Sequence, residues 1–250
     1  MRLFEVVILF LAGIAAGTIN TVVGSGSLVT FPALLAFGYS PVTANMTNNV
    51  GVLPGSISGA IAYRHELRDQ WPRVIRLAGL SLLGGLGGAF LLLRLPPAAF
   101  RAIVPVLILL SCILVIIQPW LRERTARREG KLRREGVARV LGIFLTGLYG
   151  GYFGAAQGVL LMAVLGIVIK DGIQRLNAMK NVLVAVANTS AAFVFIARGG
   201  INWPAAGVIA VGSIIGGQIG AHVGRRLPAP VYRGVIVAVG LVAFTKLVIS

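Results

Sequence analysis

Acidic residues are scarce in this chain: seven Asp and Glu stand against 23 Lys and Arg, a net charge of +16. All charged residues together make up only 12% of the 250, about half the share of an ordinary soluble protein, which excludes a soluble globular domain. With 57% hydrophobic residues the chain is equally far from the apolar-poor composition of disordered segments. A single cysteine, Cys112, excludes an intrachain disulfide and a Cys-rich metal site. Two histidines far apart in sequence, His65 and His222, and no carboxylate inside an apolar segment leave no metal centre and no cofactor to expect. The phosphate-binding pattern GxxxxGK[ST] is missing, so the chain carries no P-loop for ATP hydrolysis. In a soluble protein the positive balance would suggest nucleic acid. Here eight of the cations fall between Arg122 and Arg139, and no soluble module presents them, so nucleic acid is not an expected partner.

Charge is absent over long stretches: no Asp, Glu, Lys or Arg occurs between Glu5 and Arg64, or over 102–121, 140–169, 181–197 and 199–224. A bilayer core takes roughly 20 apolar residues per helical span, and these gaps are of that size or multiples of it. The composition therefore predicts an all-α polytopic membrane protein. The segment Met1 to Gly17 resembles a signal peptide, but Glu5 interrupts it and apolar sequence runs on beyond it, so it reads as the first span.

The chain is a duplication. A shift of 132 residues places Trp71-Pro72 on Trp203-Pro204, Gly84, Gly85, Gly88 and Ala89 on Gly216, Gly217, Gly220 and Ala221, and Arg94-Leu95-Pro96 on Arg226-Leu227-Pro228. Twelve of the 31 positions from 71 to 101 are identical under that shift, well above chance for this composition. The same shift pairs Asn45, Asn49 and Val50 with Asn177, Asn181 and Val182, and near the start an offset of 130 pairs Gly17 and Gly24 with Gly147 and Gly154. Two homologous transmembrane repeats, 1–120 and 137–250, flank a basic linker at 121–136.

Apolar segments fall at about 5–23, 26–38, 45–63, 73–93 and 101–120, and again at about 138–154, 157–169, 178–197, 203–224 and 231–249. The second of each set is short: thirteen helical residues cover about 20 Å of a roughly 30 Å core, so these read as half-helices joined to their predecessors through glycine-rich breaks. With the 122–139 stretch cytoplasmic, five crossings per half place 18 basic residues inside and five outside; four crossings give 15 and eight. The positive-inside rule prefers the odd count. An odd count makes the halves an inverted repeat, the architecture of secondary transporters, whose site lies at the midplane between broken helices.

Two groups of residues are candidates for that site. The first is the pair of breaks: Gly24-Ser25-Gly26-Ser27 with Asn20 upstream, and Gly150 to Gly158 with Gln157. Irregular backbone at membrane depth is tolerated where it is buried or lines a cavity, and helix N-termini favour anions; close packing of small residues is the structural alternative. The second group is Asn45, Asn48 and Asn49, with Asn177, Lys180, Asn181 and Asn188 in the other half. Simple N-capping is the alternative for those near helix starts. Lys180 reads either as a charge facing the site or as a lysine reaching to the interface. The Gly84–Gly88 and Gly216–Gly220 stretches read as helix-packing faces, and Trp71 and Trp203 as interfacial anchors.

At Phe31-Pro32 after the first break, Gly147-Leu-Tyr-Gly150-Gly151-Tyr-Phe-Gly154, Gly200-Ile-Asn-Trp203, and Gly216-Gly217-Gln-Ile-Gly220-Ala221 with Arg225-Arg226-Leu-Pro228, the chain resembles the TauE/SafE sulfite exporter family, also called toluenesulfonate uptake permeases. The resemblance implies a permease of the prokaryotic inner membrane, not an enzyme, that moves sulfite, sulfonates or related organic anions. Its partners would be a small anionic substrate, a coupling proton or sodium ion and the lipid bilayer, with a homo-oligomer left open. Two alternatives remain: a passive anion channel, and a membrane-embedded hydrolase pairing Ser25 or Ser27 with His222.

Overall fold

A computed structural model describes residues 1–127, 135–169 and 171–223, with 234, 237–239, 241, 244 and 245 beyond them. The expected last segment at 231–249, the Arg225-Arg226-Leu-Pro228 motif, Lys170, Lys246 and the middle of the linker lie largely or wholly outside the described residues. Among the described residues there are helices and no strands. They are α1 (Leu3–Val22), α2 (Ser27–Ala36), α3 (Pro41–Ala62), a 3-10 turn (Arg64–Leu67), α4 (Trp71–Arg94), α5 (Pro97–Arg127), α6 (Glu135–Tyr152), α7 (Gln157–Val168), α8 (Ile173–Arg198) and α9 (Trp203–Val223). Five of them, α1, α4, the Pro97–Trp120 part of α5, α8 and α9, are long and apolar enough to cross a membrane. The short apolar helices α2 and α7 occupy the two segments expected to be half-helices.

Burial differs from that of a soluble protein, because polar side chains share the apolar interior while large apolar ones face outward. Asn45, Asn48, Lys180 and Gln157 are almost inaccessible, whereas Phe193, Ile75 and Val106 are more than 60% exposed. Large apolar side chains on so much of the outside need lipid around them. The chain is a multi-pass helical membrane protein.

Glycines set the packing. A Cβ on Gly88 of α4 would lie 2.0 Å from Leu148 O of α6, and one on Gly216 of α9 would lie 2.0 Å from Ile14 O of α1. Backbones this close leave no room for a side chain, as in small-residue membrane seams. The partners cross between halves: α4 packs on α6 and α8, and α9 packs on α1 and α3.

Contacts also fix helix directions. Gly13 meets Ile209 and Gly17 meets Ser213, so α1 and α9 run the same way. Along α3 and α9, the Gly55 N–H donates to Ser213 Oγ (3.1 Å) and Ser58 Oγ to Ile214 O (3.3 Å), which adds α3 to that set. Gly84 meets Phe144 and Gly88 meets Leu148, while Ser81 Oγ donates to Leu183 O (2.7 Å) and Gly85 meets Ala187, so α4, α6 and α8 form a second parallel set. The two sets oppose each other. Near the start of α3, Thr47 Oγ1 accepts from the Asn202 N–H beyond the end of α8. Near the end of α3, Gly59 meets Thr21, whose carbonyl accepts from Asn177 and Lys180 near the start of α8.

α1 and α2 form a re-entrant hairpin. The two helices line one lateral groove, and Phe37 just past α2 meets Phe4 near the start of α1 edge-on with ring centroids 6.5 Å apart.

Candidate functional site

Both helix breaks close in the same way. At the end of α1 the N–H groups of Val23 (2.7 Å) and Gly24 (3.0 Å) both donate to Ile19 O; at the end of α6 those of Phe153 (2.9 Å) and Gly154 (3.0 Å) both donate to Tyr149 O. The six residues correspond under the 130 offset. Gly24 and Gly154 have φ of +89° and +78°, a region in which only glycine is at ease. After the second break Ala156 is also left-handed, with φ of 58°, although it carries a Cβ.

The breaks touch. The Gly158 N–H at the start of α7 donates to Gly24 O (2.9 Å), and a Cβ on Gly24 would lie 2.4 Å from Gly158 Cα. This satisfies backbone groups across the two halves, so that N–H is not available to a ligand. Two neighbouring side chains are left over. Ser25 Oγ, and both Nε2 and Oε1 of Gln157, are buried without a hydrogen-bond partner. Gln157 folds back against Gly150, whose added Cβ would lie 2.3 Å from its amide carbon. Asn49 Oδ1 on α3 and Asn181 Nδ2 on α8, helices that pack on each other, are likewise buried and unpartnered. Buried polar groups without partners are rare, and Ser25, Gln157, Asn49 and Asn181, all expected site residues, each carry one, as does Asn177 at its Oδ1.

The remaining candidates are mostly engaged by protein. Ser40 caps α3, its Oγ accepting from Thr43 N–H at 3.3 Å with Pro41 as first helical residue, so Asn45, Asn48 and Asn49 are not caps but interior residues. Asn45 Nδ2 donates to Tyr152 O (2.9 Å) at the end of α6, and its repeat counterpart Asn177 Nδ2 donates to Thr21 O (3.4 Å) at the end of α1. Each half thus covers a carbonyl freed at the break of the other. Asn48 Oδ1 accepts from Thr30 Oγ1 of α2, and Asn20 Nδ2 donates to Ser56 Oγ (2.8 Å). Gly26 nestles under Ala16 O, Ser27 is half-buried as the first residue of α2, and Asn188 is buried two turns beyond Asn181.

Lys180 does not reach to an interface. Its side chain is fully buried, and Nζ donates to Asn20 O and Thr21 O, both at 3.1 Å. The signal for this was in the sequence as a lone lysine beside an asparagine cluster, but its target lies some 160 residues away in the chain. Sequence reasoning missed Thr21 as a framing group because an isolated threonine in an apolar helix carries no pattern.

The pairing of Ser25 with His222 does not form. Ser25 is buried and His222 is exposed, with its Nδ1 2.9 Å from Gln218 O in its own helix.

Paired broken helices with polar linings, enclosed by apolar helices, define a membrane permease architecture. The chain belongs to the sulfite exporter TauE/SafE family, whose profile matches residues 9–247. It is similar to the probable membrane transporter protein YfcA of Escherichia coli K12, 28% identical over 241 residues that cover 96% of this chain and 88% of that one. A probable membrane transporter protein of Haemophilus influenzae is 26% identical over 96% of this chain and 93% of its own, and ORF9 of a Sinorhizobium species, also a probable membrane transporter protein, 26% over 96% and 90%. No solved structure matches. The family is one of exporters and the relatives are named as probable membrane transporters; this protein is a membrane transporter, not an enzyme.

Proposed function

We propose that the protein is a secondary permease of the prokaryotic inner membrane for sulfite, a sulfonate or a related small anion, built as two inverted repeats, 1–120 and 137–250. The observation that carries this reading is the contact of the two breaks with the unpartnered Ser25 and Gln157 beside it. A desolvated polyoxygen anion needs several N–H and O–H donors, and Ser25, Gln157 Nε2 and Asn181 Nδ2 are buried donors lacking an acceptor. Helix directions support the inversion, because α1 opposes α6, α3 opposes α8 and α4 opposes α9. A cytoplasmic face at the basic end is supported by Arg64, Arg68, Arg73, Arg76, Arg139 and Arg175, which gather where α4, α6 and α8 begin; Arg2, Arg94, Arg101 and Arg198 lie at the other end.

The test is flux of labelled sulfite and alkyl- and arylsulfonates in proteoliposomes, with binding measured on the purified protein. A donor to a charged group is worth about 1.5–3 kcal/mol, so Ser25→Ala and Asn181→Ala should each weaken binding roughly 10- to 150-fold. Gly87→Ala serves as control, since its Cβ would find only Leu148 Cδ1 at 3.4 Å. Unchanged affinity in both donor variants would place the site elsewhere. Counterflow of preloaded substrate is expected of a carrier and absent from a channel.

A further inference from the structure

Lys180 is the one Lys, Arg, Asp or Glu among the buried residues described, and it sits where a broken helix ends. Because α1 stops at Val22, the Gly24 N–H that would have served Asn20 O goes to Ile19 O instead. The carbonyls of Asn20 and Thr21 are thereby released, and the negative end of the helix dipole adds to them. Two aimed carbonyls at such an end form a cation site; in broken-helix transporters, groups of this kind hold the coupling ion. Here the Lys180 ammonium fills it, with Asn177 Nδ2 sharing Thr21 O.

The other break lacks the charge. At the end of α6, Tyr152 O accepts from the neutral amide of Asn45, and the residue in the register of Lys180 (180 − 132 = 48) is Asn48, bound to Thr30. A cation is therefore built into one half only.

We infer that the Lys180 ammonium is a tethered replacement for a coupling metal cation at the α1 break, so that transport proceeds without Na⁺ and removal of the amine opens a monovalent-cation site. The flux part of this rests on the permease reading above; the cation site itself does not.

The experiment uses the purified full-length protein with Na⁺ as probe, comparing sodium chloride with choline chloride at equal ionic strength. The wild type should melt at the same temperature in both salts, and its anion flux should be equal in both. Lys180→Ala should melt lower in choline and gain stability in a saturable way as Na⁺ rises, as a ligand bound only to the folded state requires. Its flux should fall about tenfold or more in choline, the loss of a charged donor, and recover in Na⁺. Should Lys180→Ala fail to accumulate, Lys180→Gln removes the charge while keeping a hydrogen-bond donor and is measured in the same way. Na⁺ dependence of the wild type, or a folded Lys180 variant indifferent to Na⁺, would overturn the inference. Absence of flux for every anion tested would instead count against the permease substrate, leaving the melting comparison to decide the cation site.

Discussion

At the scale of single residues, side-chain amides replace the amides that a continuous helix would have supplied. Asn45 and Asn177 each cover a carbonyl released in the opposite half, and Lys180 covers one more, Asn20 O, while sharing Thr21 O with Asn177. Ala156 is the residue whose own conformation is least comfortable, left-handed at φ of 58° and fully buried at the mouth of α7. An L-residue in that region costs roughly 1–2 kcal/mol relative to the right-handed form, whereas glycine does not resist it. Ala156→Gly is therefore expected to raise the melting temperature of the purified protein or leave it unchanged, the gain offset in part by the greater freedom of glycine in the unfolded chain. A clear loss of stability would mean that the methyl group contributes more by packing than the backbone loses by strain.

At the scale of elements, the glycine faces are where substitution should hurt most. Gly88→Ala would put a methyl group 2.0 Å from Leu148 O, and Gly216→Ala would do the same against Ile14 O; in both the obstacle is backbone that cannot swing aside. Overpacking of this kind costs about 1–3 kcal/mol, so both variants should melt several degrees lower while Gly87→Ala, in the same helix as Gly88, stays near the wild type. Thermal denaturation in one detergent checks all three, and equal losses at Gly87 and Gly88 would contradict the packing described. Element positions were largely legible in the sequence. The apolar segments located α1, α4 and α9 to within about two residues, and the thirteen-residue segments foretold α2 and α7. Ends were less legible where charge begins. α5 continues as helix to Arg127 although its apolar stretch stops near Trp120, because Arg, Glu and Leu are good helix formers and hydropathy marks lipid rather than helix. The polar contacts were not legible at all. Nothing local to Asn45 reveals Tyr152 O, 107 residues away, and no pattern distinguishes Asn48, bound to Thr30, from Asn49, whose Oδ1 is unpartnered.

For the whole molecule, the distribution of arginines makes orientation testable. Asp69 lies beside the start of α4 and Ala98 at the start of α5, at opposite ends of the bundle, and both are exposed. With Cys112 replaced by Ser, cysteines at these two positions should react with an impermeant thiol reagent from opposite sides, Ala98→Cys in intact cells and Asp69→Cys only after the membrane is opened. Labelling of both from one side would mean that α4 does not cross the membrane, and labelling from the reversed sides would overturn the orientation. At the basic end Asp171 ties α4 to α8, accepting from Gln70 and lying 3.7 Å from Arg73 and 3.6 Å from Arg175. These exposed pairs fasten the ends of helices that belong to different halves, and individually contribute little.

The exchange of α4 and α9 between halves bears on how the chain is made. A ribosome delivers α1 to α5 before any of α6 or α8 exists, so α4 enters the bilayer with the glycine seam meant for them facing lipid or the insertion machinery. α1 and α3 wait longer still, since α9 is the last of the helices described to arrive. Neither seam can close until most of the protein has been synthesised. The nascent first half is therefore a set of inserted helices with both glycine seams open, which close in turn as α6 and α8, and then α9, arrive.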